Sequence, residues 1–242
     1  MLKCNMTQTS PDKKISIILP AHNEEANIES AVRDIFDYVK GKGWEFEVII
    51  VDDGSNDRTS EIVKALCETR DNLRLIVQER NYGYGRAIMV GFDAAKFDLL
   101  FFTDSDRQFN IESLGDMIDK VEDADIIVGY RMNRQDPPMR LFLSWGFNVL
   151  ARFLFDINVR DIDCAFKIFH KRIFDKIKVQ STRFFFNTEV LAKARYLGYS
   201  IVEVGVPHFP RQAGSSSVSM RYIPITIHEL IRIHNSIKKL KK

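Results

Sequence analysis

Two carboxylates, Asp104 and Asp106, stand where the apolar run Phe97–Thr103 ends, with only Ser105 between them. Side chains so spaced at the end of a buried strand can share one hard divalent cation. Mg²⁺ and Mn²⁺ favour oxygen ligands and keep coordination positions open for phosphate oxygens. Such a pair suits the departure of a nucleotide diphosphate. Asp-x-Asp also occurs in ordinary solvated turns, so the surroundings must decide. A second acidic turn, Asp52-Asp53, closes another expected strand, Phe46–Val51.

The elements expected to position these groups alternate along the chain. Ile15–Pro20 reads as a buried strand. Ala26, Ile28, Ala31, Val32, Ile35, Phe36 and Val39 recur at helical spacing, with Asn23 as the expected cap. Phe46–Val51 is a second strand, and Asp57 is placed to cap a helix running through Cys67. Leu73–Val77 is a third strand. The glycine-bearing loop Asn81-Tyr82-Gly83-Tyr84-Gly85 then leads to a helix over Ala87–Ala95. Leu99–Thr103 is a fourth strand, Ile111–Val121 is helical and Ala124–Gly129 is a strand. This alternation predicts an α/β domain with a mainly parallel sheet. Ligands of such sheets sit beyond the carboxyl ends of the strands. Pro20-Ala21-His22, Asp52-Asp53 and Asp104-Ser105-Asp106 all fall at such ends.

The pattern changes after Arg131. Arg134–Pro138 reads as a polar, proline-bearing linker. Met139–Phe155 reads as a helix apolar on nearly every side, which suits either deep burial or a lipid surface. Arg140, Arg152 and Trp145 fit an interfacial position. Ala165–Phe169 and Ile201–Val206 read as strands, Asn187–Leu197 as a helix, and Arg211–Ser219 as a polar loop. Ile223–Leu240 has a helical pattern and a basic end. Near an anionic membrane each lysine there contributes on the order of 1 kcal/mol; a solvated tail is the alternative.

The 242 residues suffice for one large domain, and the formal net charge of +2 implies no global field for nucleic acid. Cys4, Cys67 and Cys164 are too scattered for a disulfide framework or a zinc site and suggest a reducing compartment. No secretory signal and no apolar stretch of membrane-spanning length is evident. The expected location is cytoplasmic.

Several segments then occur in a telling order: Ile17–Glu25, Val51–Thr59, Asn81–Gly85 and Asp104–Gln108. Together they resemble the family 2 inverting glycosyltransferases of GT-A fold. Gly129-Tyr130-Arg131, Arg140 with Ser144, Asp161–Lys167, Asn187-Thr188-Glu189 and Arg211–Ser216 narrow the likeness. This set is similar to polyprenyl-phosphate sugar transferases of the dolichol-phosphate mannosyltransferase type. The resemblance spans residues 14–218 and implies a GT-A domain there; the helical pattern with its basic end sets a basic amphipathic helix over 219–242. It implies that Pro20, Ala21 and Glu24, with Asp52 or Asp53, line a nucleoside pocket. It implies that Asp104, Asp106 and Gln108 hold Mg²⁺ or Mn²⁺ and, through it, the diphosphate. Glu189 would help organise the acceptor side. Two positions depart from the family pattern. His22 stands where Tyr is frequent, and Ser217 where the mannosyltransferases commonly carry Lys.

The implied reaction moves a sugar from a nucleotide diphosphate-sugar to a polyprenyl phosphate, with inversion. A phosphate monoester is mostly ionised near neutral pH, so it needs positioning rather than a general base. Arg131, Arg140 and Arg211 are the candidates, because guanidinium forks match phosphate oxygens. Ser144, one helical turn after Arg140, can add a hydrogen bond. The acceptor would be reached on the cytoplasmic face of a membrane, through interfacial helices or a membrane partner subunit. A saccharide acceptor of a surface polymer is the rival enzyme, and would require a base such as Asp163 or Glu189. A non-catalytic nucleotide-sugar-binding protein is a third reading.

Overall fold

Continuous apolar runs, buried on both faces, form the centre of the molecule, as expected of parallel strands covered by helices. The computed structural model describes residues 13–134, 136–210 and 223–240. Its first half runs β1 (Lys14–Ala21), α1 (Ile28–Lys40), β2 (Glu45–Asp52), α2 (Thr59–Cys67), β3 (Leu73–Val77), α3 (Tyr84–Ala94) and β4 (Leu99–Thr103). Then come α4 (Ser113–Ile118), β5 (Ile126–Met132), α5 (Pro138–Phe155), β6 (Phe166–His170), α6 (Ile173–Lys176), α7 (Phe186–Tyr196), β7 (Ile201–Pro207) and α8 (Ile223–Lys239).

One sheet carries all seven strands in the order β3-β2-β1-β4-β6-β5-β7. β1 lies parallel to β2 and β4, β2 to β3, and β5 to β7. β6 alone among the described strands is antiparallel, set between β4 and β5. The carboxyl ends of β1, β2, β4 and β5 therefore share one edge, and β6 begins at that edge.

Each face of the sheet has its own core. α1, α2 and α4 cover one, burying Ile28, Val32, Val63, Leu114 and Met117. α3, α5, α7 and α8 cover the other, with Phe92 among Phe102, Phe169, Phe174 and Phe186 at centroid distances of 5.1–6.2 Å. Leu230 and Ile233 place α8 in this second core.

Three local expectations are corrected. α1 begins at Ile28 with Asn27 at its cap position; Asn23 instead takes φ +56° and its Oδ1 accepts from Asn56 N at 2.8 Å. The turn Glu24–Asn27, closed by Asn27 N to the Glu24 carbonyl at 2.9 Å, intervenes. The expected helix Ile111–Val121 shortens to Ser113–Ile118. β5 extends past Gly129 to Met132, because β7 pairs with it as far as Pro207.

α5 resolves the choice between burial and exposure. Only Asn148, Ala151 and Phe155 are buried, while Phe142, Trp145 and Phe153 are 64%, 61% and 85% exposed. No helix among the described residues is long and apolar enough to cross a membrane.

Candidate active site

Asp104 directly follows β4, and Asp106 is buried two residues on. The Tyr84 hydroxyl at the start of α3 donates to Asp104 Oδ1 at 2.9 Å. Burial and the neighbouring Asp104 and Asp106 carboxylates push the Tyr84 phenol well above its ordinary range, so it remains a donor. Asp106 Oδ1 accepts from Gln108 N at 3.2 Å, and Gln108 Nε2 donates to the Phe209 carbonyl at 3.2 Å. Ser105 Oγ donates to the Pro20 carbonyl at 3.3 Å, fastening this turn to the end of β1. Asp104 also opens on a cavity of about 1010 Å³ walled by Leu19, Asp34, Tyr38, Arg107 and Phe109.

The donor set at this turn fits a divalent cation shared with phosphate. No group of three or more acidic, His or Cys side chains stands ready for a metal among the described residues. Asp104 and Asp106 supply two carboxylates, and Mg²⁺ is characteristically held by one or two carboxylates plus substrate phosphate and water.

The residues expected at a nucleoside pocket come together at the ends of β1 and β2. Pro20 and Ala21 are buried in β1, and the Ala21 carbonyl accepts from Asp53 N at 2.8 Å. Both acidic side chains organise loops. Asp53 accepts from Gln78 Nε2, Tyr82 N and Gly83 N, each at 2.8 Å. Asp52 Oδ1 accepts from Ser55 N at 2.9 Å and its Oδ2 from the Ser60 hydroxyl. Glu24 Oε2 accepts from Asn27 Nδ2 at 2.7 Å. His22 Nδ1 donates to the Asp53 carbonyl at 3.0 Å. These carboxylates thus shape the loops around the β2 end and hold the 82–83 backbone beside Asp104's partner Tyr84.

Across the start of β6 lies a cationic region. Arg131, at the end of β5, grips Asp161 with both prongs, Nε at 2.6 Å and Nη2 at 2.7 Å. Burial opposes charge on both groups. Their pairing nevertheless holds Asp161 below, and Arg131 above, the ordinary value. Asp136 collects two further arginines, Arg134 Nε at 2.9 Å and Arg140 Nη1 at 2.9 Å. Arg134 Nη1 donates to Ser144 Oγ at 3.0 Å. Arg140 and Ser144 are therefore joined through Arg134 and Asp136. His208, at the end of β7, is held down at about 4 by burial and then by the Arg131 charge, and its buried Nδ1 has no partner.

Between the two sides stand the residues that open β6. Burial and the Asp161 charge push Asp163 up to about 6, and its buried Oδ1 lacks a partner. Lys167 is fully buried over the Phe102 ring, its Nζ donating to the Cys164 carbonyl, and burial lowers its pKa. Burial and then the Asp161 charge push the Cys164 thiol up to about 12, against the opposing charges of Lys167 and Arg131.

Glu189 is placed differently. It is buried in α7, accepting from Lys193 Nζ at 2.5 Å and Ser181 N at 2.7 Å. It anchors the segment whose Ser181 and Thr182 carbonyls press on Gly85 and Gly83. Arg211 and Ser217 lie outside the described residues. Sequence reasoning placed Tyr84 and Lys167 within motifs but assigned no role in the site to them or to Arg134, Asp136 and His208. For Arg134 and Asp136 the available signal was their charge spacing to the candidate Arg140, at i−6 and i−4, in a stretch read as a linker.

The family model described as Glycosyl transferase family 2 matches residues 16–178. The undecaprenyl-phosphate 4-deoxy-4-formamido-L-arabinose transferase of Salmonella typhimurium (strain LT2) is 28% identical over 228 residues, covering 93% of this chain and 69% of that protein. The enzyme of the same name from Salmonella paratyphi A matches equally, at 28%. Among solved structures, Mycobacterium tuberculosis glucosyl-3-phosphoglycerate synthase with Mn²⁺, UDP-glucose and phosphoglyceric acid superimposes at a TM-score of 0.70 and 18% identity. That match covers 93% of this chain and 79% of that one. The same enzyme with Mg²⁺ and UDP gives a TM-score of 0.70 at 18% identity, over 93% of this chain and 79% of that one. This likeness shows the GT-A fold. With the family model spanning the acidic pair, the β5 arginine and β6, the chain belongs to glycosyl transferase family 2 and is a glycosyltransferase.

Proposed function

We propose that this protein transfers a sugar from a nucleotide diphosphate-sugar to a polyprenyl phosphate, with inversion at the anomeric carbon. The observation that carries the reading is the two-sided site. An acidic pair closes β4, an arginine cluster closes β5, and only the start of β6 separates them. The name borne by the Salmonella relatives supports the same acceptor class.

In this reading Asp104 and Asp106, with Gln108 beside them, hold Mg²⁺ or Mn²⁺. Bound there, the cation supplies Lewis-acid neutralisation of the leaving diphosphate, worth several kcal/mol. Tyr84 fixes the orientation of Asp104. Pro20, Ala21, Glu24, Asp52 and Asp53 shape the nucleoside end, directly or through the loops that they hold. Arg131 presents a guanidinium already locked by Asp161, which lowers the ordering cost of binding a phosphate. Arg134, Arg140 and Ser144 extend that surface, and Arg211 is proposed to join it. Glu189 is a positioning residue for the 180–183 segment. The acceptor's phosphate oxygen, already ionised, attacks from the face opposite the leaving group, so no proton needs to move. The exposed aromatic face of α5 is proposed to rest on the membrane that holds the acceptor, on its cytoplasmic face; a membrane partner subunit can share that role.

One observation favours a second reading. Asp163, pushed up to about 6 with an unpartnered buried oxygen, has the properties of a general base. A hydroxyl acceptor on a saccharide would need one. Incubation with a panel of nucleotide-sugars, each metal and either a short prenyl phosphate or an oligosaccharide, with products identified by mass, separates the two. A prenyl-phosphate sugar is expected. Sugar found only on the oligosaccharide would reject the lipid acceptor.

A further inference from the structure

A hollow of about 380 Å³ lies between α8 and the segment leading into α7. It shares no wall residue with the cavity at Asp104. Its polar walls include Lys178, Lys193, Arg232, Asn235, Ser236 and Lys239. Two of the cations are fixed by carboxylates. Lys193 Nζ donates to Glu189 at 2.5 Å and to the Lys178 carbonyl at 2.6 Å. Arg232 Nη2 donates to Glu229 at 2.5 Å and to Ser181 Oγ at 2.8 Å. These pairs balance each other's charge and hold both cations in place.

Lys178 and Lys239 tip the balance. Both are exposed, and neither has a carboxylate within ion-pair distance among the described residues. Lys178 Nζ reaches only the Phe174 carbonyl, at 3.2 Å. Arg232 Nε is buried with no acceptor. A buried donor left unmade is costly, and an anion oxygen would satisfy it. Asn235 and Ser236 add neutral donors to the same wall. Beside the hollow, Ile227 and Ile231 stand 53% and 56% exposed one helical turn apart. Cations next to exposed aliphatic side chains match the boundary between lipid headgroups and acyl chains.

We propose that this groove is a second anion site, separate from the donor diphosphate, that binds a phosphate-bearing group: the headgroup of an anionic lipid or a free phosphate. The site stands whichever acceptor the enzyme uses.

The test compares wild type, Lys178→Ala/Lys239→Ala and, as a charge-matched control, Lys64→Ala/Lys120→Ala. Co-sedimentation with phosphatidylcholine vesicles, with and without phosphatidylglycerol, measures the preference for anionic lipid. Thermal stabilisation by inorganic phosphate measures free anion binding. The groove variant should lose on the order of thirtyfold in anionic-vesicle affinity, at about 1 kcal/mol per lysine, and the control should stay near wild type. Phosphate stabilisation abolished by the groove substitutions would assign small anions as ligands. Its absence, with the vesicle preference intact in wild type, would assign the lipid headgroup. Equal losses in the two double variants, or none in the groove variant, would overturn the proposal. Binding to neutral vesicles reports the α5 face and is judged separately.

Discussion

Asp161 and Asp163 are two residues apart, yet their environments drive them in opposite directions. Burial works against charge on both, but Asp161 lies in the fork of Arg131, whereas Asp163 meets burial and the Asp161 charge together. A carboxyl raised from 3.8 to about 6 contributes stability that is fully present below its unfolded value and lost as pH rises through the folded one. Asp163→Asn removes this dependence. Relative to that variant, the wild type should lose up to about 3 kcal/mol of stability between roughly pH 4 and pH 6. Urea midpoints across that range check it, and parallel curves for the two proteins would place Asp163 in ordinary solvent. Asp106→Ala should abolish turnover while leaving the circular dichroism spectrum and Tm near wild type. A product yield equal to wild type would remove Asp106 from the metal site. At this scale the acidic pair was legible because its spacing is local and its strand is unmistakably apolar. The arginine cluster was half legible. Arg131 and Arg140 stood out, but Arg134 and Asp136 read as linker because proline and charge imitate one. His208 gave no signal, since its neighbours come from pairing β7 with β5.

The elements explain why the site holds its shape. α3 starts at a glycine loop clamped from two directions. Asp53 accepts from Tyr82 N and Gly83 N, and the Ser181–Arg183 segment presses from the other side. A Cβ at Gly85 would lie 2.7 Å from the Ser181 carbonyl oxygen and 2.8 Å from that of Arg183. Backbone atoms yield little, so Gly85→Ala should cost about 1–3 kcal/mol and reduce turnover by displacing Tyr84 from Asp104. Chemical denaturation and kcat measure the two effects, and an unchanged variant would show that the clamp is slack. Continuous apolar strands made the parallel half of the sheet readable. The reversal at β6 was not, because an apolar run of five residues carries no direction. The end of β5 was misplaced for a related reason: Tyr130-Arg131-Met132 is strand only because β7 supplies partners as far as Pro207.

At the scale of the whole molecule, the helix-covered sheet leaves an aromatic surface at odds with water. α5 turns Phe142, Trp145 and Phe153 outward, while the other tryptophan of the chain, Trp44, is buried just before β2. Trp145 emission should therefore shift to the blue on adding phosphatidylcholine vesicles. Phe153→Ser should weaken that response without lowering Tm, because an 85% exposed side chain contributes little packing. A response unaffected by Phe153→Ser would move the contact to another face. The wide apolar face was visible in the sequence, but its outward direction was not, since a helix apolar on most sides suits a core equally well. The link between acidic pair and leaving diphosphate is reached most directly by calorimetry of nucleoside diphosphate binding. Wild type, Asp106→Ala and Arg131→Lys would each be titrated with Mn²⁺ or with chelator present. Wild type and Arg131→Lys should bind only with Mn²⁺, and Asp106→Ala should not bind with either. Binding indifferent both to chelator and to Asp106 would mean that the diphosphate sits elsewhere.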